Sequence, residues 1–173
     1  METDVRTRRD HRAREYARQG MLLSLRVDPT HRCPLYCRHC FWSGSRVPAS
    51  DELPLASWID VLDQAVDLST LFLIVSGGEP MAWPGLWPFL AAARQRRLHL
   101  RLKTTGFGVG PDEARRLRDL APVLVDLSLH GASPAVHEAV TGVAGSFDRA
   151  LSGFRDLVQA GVPVRATMSV LES

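Results

Sequence analysis

The three cysteines of this 173-residue chain all fall within one stretch of eight residues, Cys33-Pro34-Leu35-Tyr36-Cys37-Arg38-His39-Cys40. An odd trio packed this closely is not a disulfide framework, and its C-x3-C-x2-C spacing points to ligation of a metal or a cluster. Three thiolates on one short loop can hold three corners of a cubane iron–sulfur cluster and leave the fourth iron open to a substrate or cofactor. The alternative is zinc, held by the three thiolates with His31 or His39. Zinc sites usually pair distant ligand couples, however, and this chain has no second couple. Further along stands Ser76-Gly77-Gly78-Glu79-Pro80. Adjacent glycines let another molecule approach the backbone and expose its amide and carbonyl groups, although the same residues also make a common turn.

Such groups need regular elements to position them. Leu22–Val27 reads as a short buried strand running into the cysteine loop. Between Leu55 and Leu68, the apolar Leu55, Trp58, Ile59, Leu62, Ala65 and Val66 share one helical face, and Asp60, Asp63, Gln64 and Asp67 take the other. The unbroken apolar run Leu71–Val75 predicts a strand covered on both sides, and it ends at the Gly-Gly turn. A helix over Trp87–Arg97 and a strand over Leu98–Lys103 follow, the strand ending in Thr104-Thr105-Gly106. Next come a helix over Asp112–Leu120, with Pro111 ahead of it, and a strand over Val123–Leu129 that ends at His130-Gly131. Ser146 is the expected N-cap of a helix whose apolar face is Phe147, Ala150, Leu151, Phe154, Leu157 and Val158; Gly161 stops it and Val162–Val170 is the last strand. Five strands alternating with four helices through short loops predict an α/β fold with a parallel sheet, open or curled towards a barrel. In either case chemistry belongs at the C-terminal ends of the strands, where every unusual segment of this chain lies.

Composition sets the outer bounds. With 45% hydrophobic and 23% charged residues, the chain can form one well-cored domain, is short for two, and is not composed as a disordered one. No apolar run approaches the ~18 residues of a membrane span. The N-terminus shows no apolar signal-peptide core, so a soluble, cytoplasmic protein with no membrane partner is expected. The whole net charge of +2 sits in residues 1–20, where Arg6, Arg8, Arg9, Arg12, Arg14 and Arg18 face Glu2, Asp4, Asp10 and Glu15. This basic leader reads as a solvated, partly frayed helix; the other reading is contact with an acidic peptide or nucleic acid. Nothing later resembles a nucleic-acid-binding module, so no nucleic-acid partner is expected.

Taken in order, the cysteine loop after the first strand and Gly77-Gly78-Glu79-Pro80 after the second resemble the two defining motifs of the radical S-adenosylmethionine superfamily. The resemblance runs from about Leu22 to the C-terminus. Ser128-Leu129-His130-Gly131, followed by Val136-His137-Glu138 and Gly145-Ser146-Phe147-Asp148, is similar to the fourth βα unit of enzymes that modify ribosomal peptides or build cofactors. Many of those enzymes carry a further cysteine-rich domain of the SPASM type.

The resemblance implies a leader over residues 1–20 and a radical S-adenosylmethionine core over 21–173, folded as a partial TIM-type (β/α) barrel of parallel strands with about five βα units. Cys33, Cys37 and Cys40 would ligate a [4Fe–4S] cluster whose open iron chelates the amino and carboxylate groups of S-adenosylmethionine. Backbone groups of Gly77, Gly78 and Glu79 would hold the methionine amino group, and Ser128 would face the ribose or carboxylate. His39 would lie near the adenine, while Pro80 and Thr105 complete the cofactor site. One electron from a flavodoxin- or ferredoxin-type reductant would release a 5′-deoxyadenosyl radical. That radical would abstract hydrogen from the substrate, a peptide or a cofactor precursor.

Departures from the family pattern carry information too. The family frequently shows Thr-Asn-Gly where this chain has Thr104-Thr105-Gly106. Related enzymes often place an Arg near Thr141 to pair with the cofactor carboxylate, and a threonine cannot supply that charge. Asp is common where His130 stands, and His130 reads as an ordinary polar rim residue. His11 and His99 read as solvated, and Gly106-Phe107-Gly108-Val109-Gly110 lacks the strand–helix setting of a dinucleotide fingerprint. The four tryptophans read as core or rim packing, with Trp42 near enough to shield the cluster loop. The family barrel has six βα units, so the sequence reads as incomplete at its C-terminus, with Val164–Val170 as an apolar edge strand. It would then be a truncated product, a half completed by a complementing chain, or a minimal enzyme. The non-enzyme alternative is a fragment that binds a cluster or zinc as an interaction module.

Overall fold

In each strand, alternate side chains on one face are apolar and those on the other are mixed, and this period of two decides the architecture. The computed structural model describes residues 14–42 and 48–170. Five strands, β1 (Ser24–Val27), β2 (Phe72–Val75), β3 (His99–Thr104), β4 (Leu124–Ser128) and β5 (Val164–Thr167), form one sheet. Every neighbouring pair is parallel, in the order β1-β2-β3-β4-β5. A doubly wound sheet reverses its strand order part-way, whereas strictly sequential order gives the partial (β/α) barrel that the sequence predicts.

The helices are α1 (Leu55–Asp67), α2 (Leu86–Gln95), α3 (Pro111–Leu120), α4 (Pro134–Thr141) and α5 (Ser146–Gln159). α1, α2, α3 and α5 cover one face of the sheet, and α4 packs on α5. Leu73, Val75, Leu100, Leu102, Val125 and Leu127 from the strands meet Leu62, Phe89, Leu90, Leu117 and Leu157 in a single core. The tryptophans pack as expected: Trp83 lies in this core, Trp58 and Trp87 against it. The other face is the inside of the barrel, and it is not a hydrocarbon layer. The Leu71–Val75 run is therefore buried on one side only: Leu73 and Val75 are fully enclosed, but Phe72 is 38% exposed and stacks on the exposed ring of His99.

Other departures from the sequence reading lie in the β4–β5 connection, which contains two helices instead of one. The additional α4 spans eight residues, too few for a periodic signal, and is marked only by Pro134 at its start. Ser146 is the first helical residue of α5, and Gly145 takes the N-cap position at φ +74°. The Ser146 hydroxyl is engaged instead with that of Thr141, at 2.7 Å, so it ties the end of α4 to the start of α5. β5 is shorter than expected and not wholly apolar, since Arg165 and Thr167 alternate with Val164 and Ala166. Of the leader, residues 14–18 are helical, and residues 1–13, His11 among them, lie outside the described residues. Among the described residues no helix is long and apolar enough to cross a membrane.

Candidate functional site

The cysteine loop leaves the end of β1 and is fastened on two sides by backbone hydrogen bonds. On one side Gly78 N donates to the carbonyl of Thr30 at 2.8 Å, and Glu79 N to that of Arg32 at 2.7 Å. This contact explains the paired glycines. A Cβ on Gly77 would lie 2.5 Å from the Thr30 oxygen, and one on Gly78 would lie 2.4 Å from the Arg32 oxygen; Gly77 also holds φ +118°. On the other side Tyr36 N donates to the Thr141 carbonyl at 2.8 Å, and Arg38 N to that of Val140 at 2.9 Å. These are last-turn carbonyls of α4, which have no intrahelical donor of their own. Glu52 adds a side-chain clamp, accepting from Arg32 at 2.7 and 3.2 Å and from the Thr30 hydroxyl.

Glu79 joins the turn after β2 to the turn after β3. Its side chain is 2% exposed. One carboxylate oxygen accepts from the Thr104 hydroxyl at 2.8 Å and Met81 N at 3.0 Å. The other accepts from Thr105 N and the Thr105 hydroxyl, both at 2.6 Å. The two hydroxyls in turn accept from Gly106 N at 3.0 Å and Phe107 N at 3.3 Å. With a threonine where the family frequently has asparagine, the turn is still closed by a side chain at that position.

Of the site residues read from the sequence, Cys33, Cys37, Cys40, His39, Gly77, Gly78, Thr105 and Ser128 line one cavity of about 380 Å³. Glu79 and Pro80 do not line it. The Glu79 carboxylate is spent on the bracing just described, and Pro80 is buried at the start of the short helix Pro80–Ala82. All three cysteines are half-buried thiols, none of them in a disulfide. Among the described residues no three of His, Cys, Asp or Glu converge so as to hold a single ion. His31, one of the two histidines in the zinc alternative, packs on Trp42 at 4.0 Å. The three thiols line one space with the two glycines, and three thiolates are the donor chemistry by which a cluster would be held at three of its corners.

Two further positions resolve differently from their sequence reading. His130 is a buried wall residue, its ring edge-on to His39 at 4.8 Å and nearly parallel to His137 at 5.8 Å. Burial first, then the neighbouring His39 and His137, push its pKa down to about 4, so it is neutral at physiological pH. Thr141 is fully buried against Ser146 and does not reach the cavity. The cations that do reach it are Arg26, Arg101, Lys103 and Arg165, none of which the sequence motifs single out. Arg26 is paired with Asp28 at 3.1 Å and bonded to Ser76 at 3.3 Å. Arg101 and Arg165 share Asp126, at 2.6 and 2.9 Å from their Nε atoms. Burial pushes the Asp126 carboxyl up, but the hydrogen bonds from Arg101 and Arg165 outweigh it and hold the group below the usual range.

Comparison with known proteins agrees with this geometry. The chain is 36% identical over 145 residues to a PqqA peptide cyclase of Streptomyces rochei, a match covering 84% of this chain and 38% of that protein. It is 33% identical over 133 residues to the mycofactocin maturase MftC of Mycobacterium tuberculosis, covering 76% of this chain and 33% of that one. It thus spans about a third of these relatives' length. Its fold is shared with Streptococcus suis SuiB bound to the precursor peptide SuiA, at TM-score 0.76, 21% identity, and coverage of 91% and 37% of the two chains. It is likewise shared with anSMEcpe bound to AdoMet, at TM-score 0.71, 18% identity, and coverage of 84% and 43%. The three thiols and the glycine turn they share a cavity with lie inside residues 27–172, the stretch matched by the family model of the Radical SAM superfamily, and the chain belongs to that superfamily.

Proposed function

We propose that this chain cleaves S-adenosylmethionine reductively at a [4Fe–4S] site and uses the 5′-deoxyadenosyl radical to take a hydrogen atom from a peptide. The observation that carries this reading is the single cavity shared by Cys33, Cys37, Cys40, Gly77 and Gly78. When bound, the cluster supplies the electron for the cleavage and an iron at which the cofactor chelates. The chain supplies placement. The amides of Gly78 and Glu79 are spent on the cysteine loop and the Glu79 carbonyl accepts from Ala82, which leaves the carbonyls of Gly77 and Gly78 to receive the methionine amino group. The Ser128 hydroxyl serves the ribose or carboxylate, Thr105 is set by its bonds to Glu79, and His39 and Trp42 close the cavity beside the cluster loop. A neutral His130 in the wall spares the sulfonium a like charge. A peptide substrate is supported by the relatives named for peptide cyclisation and by the structural neighbour holding a precursor peptide. The electron donor is a reductant of the flavodoxin or ferredoxin type.

The test is anaerobic reconstitution with iron and sulfide, comparing wild type with Cys37→Ala, followed by dithionite and S-adenosylmethionine. About four irons per chain, with 5′-deoxyadenosine formed by wild type alone, is the expected result. A cluster without cleavage reduces the chain to a binding module, and zinc in its place overturns the reading.

A further inference from the structure

We infer that the inner face of the sheet, one side-chain layer below the cofactor-binding turns, is an anion subsite that draws a carboxylate of the peptide substrate into the cavity, with the Lys103 ammonium as its principal contact. The inference rests on the radical reading of this cavity and adds the chemical class of the substrate group that enters it.

Side chains two residues apart on a strand share a face. Lys103 therefore lies one layer below Thr105, and Asp126 one layer below Ser128. Lys103 is in register with Asp126, and Asp126 with Arg165. Arg26 and Arg101 sit in the next layer down, each in register with Ile74 between them. A closed (β/α) barrel fills such layers with bulky branched side chains. Here four cations, Arg26, Arg101, Lys103 and Arg165, line the same cavity as the cysteines. Two carboxylates answer them: Asp28 takes Arg26, and Asp126 is divided between Arg101 and Arg165. Lys103 has no partner among the described residues, and its side chain is exposed into the cavity. Water screens this surplus while the cavity is open, but a bound substrate excludes water, and an unpaired ammonium is then costly unless the substrate brings an anion. Asp126 is already shared by two guanidinium groups, so a Lys103 ammonium turned towards it would still leave the four cations facing the same two carboxylates. The surplus positive charge is thus fixed in the frame and is available to the ligand. In a peptide the matching group is a carboxylate, from an acidic side chain or from the chain end.

The test uses the 173-residue chain after reconstitution, and equilibrium binding of three pentapeptide probes by calorimetry. The first has a central Glu and an amidated C-terminus, the second a central Gln and an amidated C-terminus, and the third a central Gln and a free C-terminus. A carboxylate-bearing probe is expected to bind about tenfold more tightly than the amidated Gln probe, a preference that weakens with added salt. Lys103→Gln should bring the ratio close to one, and Lys103→Arg should restore it. The Glu and free-terminus probes show which carboxylate is taken, and either preference supports the subsite. Equal affinity for all three probes, no measurable binding of any, or a preference unchanged in Lys103→Gln overturns it. S-adenosylmethionine is titrated into the same proteins. If Lys103→Gln weakens the cofactor as much as the acidic probe, the ammonium serves the cofactor's own carboxylate and the inference falls. A chain that discriminates among the peptides yet binds no S-adenosylmethionine keeps the subsite and loses the radical reading.

Discussion

Glu79→Gln tests how the turns after β2 and β3 are held together. In the native chain each carboxylate oxygen accepts two hydrogen bonds, one set from Thr104 Oγ1 and Met81 N, the other from Thr105 N and Thr105 Oγ1. A glutamine keeps one oxygen and places an NH2 group where the other stood. The threonine hydroxyls can turn and accept from that group. A backbone N–H cannot turn, so whichever way the amide is set, Met81 N or Thr105 N faces a donor. A buried donor left without an acceptor costs about 1–3 kcal/mol, and the charge-assisted character of the remaining bonds is lost as well. The expected destabilisation is about 2–3 kcal/mol, a fall in Tm of roughly 4–12 °C for a domain of this size. Thermal and urea unfolding followed by circular dichroism measure it. Glu79→Ala abandons all four bonds and leaves a void, so it should cost more, about 3–5 kcal/mol. In a double-mutant cycle, Glu79→Gln with Thr104→Val should show coupling of at least ~0.5 kcal/mol. Unfolding transitions of both Glu79 variants within about 1 °C of wild type would refute the assignment of this carboxylate as the brace between the two turns.

Two further perturbations follow from the same geometry. Gly78→Ala puts a methyl group 2.4 Å from the Arg32 carbonyl and 2.7 Å from that of His31, both rigid backbone, so the two strands of the contact must part. A loss of about 2–4 kcal/mol and failure to take up iron on reconstitution are expected, and normal iron content would count against the tight backbone seat. Asp126→Asn removes the shared partner of Arg101 and Arg165; because both guanidiniums are partly solvated, the cost is about 1–2 kcal/mol and not that of a fully buried pair. Since the folded carboxyl titrates below its unfolded value of about 3.9, its contribution is present above that pH and is lost as pH falls through the lower folded value. The stability gap between wild type and variant should therefore shrink below about pH 4, and a gap that stays constant into acid would overturn the ion-pair account.

What the sequence made legible was set by how far each signal reaches. The apolar faces of α1 and α5 and the alternation of strand and helix are long-range, repetitive signals, and they place every strand and four of the five helices within a few residues. The cysteine and glycine motifs were equally legible, because three cysteines within eight residues and a Gly-Gly pair at a strand end are spacings that packing alone does not call for. α4 was not, since eight residues with a buried histidine and threonine leave no period to read. Its last-turn carbonyls nevertheless hold the far side of the cysteine loop, a contact between segments about a hundred residues apart that no local pattern encodes. The inner-face charges fall between these cases. Arg101 and Lys103 alternate with Leu100 and Leu102, and Asp126 with Val125 and Leu127, which is the mark of a strand buried on one face only. A search confined to motifs at the strand ends passes over these charges, which the period of two reveals.

That one-sided burial also fixes how the site relates to the stability of the chain. The main core cluster lies between the outer face of the sheet and the helices, and the thiols lie on the loop that leaves the end of β1, which buries Leu35 but adds nothing to that cluster. The loop's conformation is set by four backbone bonds, at Thr30, Arg32, Val140 and Thr141, and by the Glu52 clamp. These bonds bring the three thiols to the same cavity as the Gly77-Gly78 turn. The inner face can carry four cations because their cost falls on a surface open to water, not on the packing that holds the sheet together.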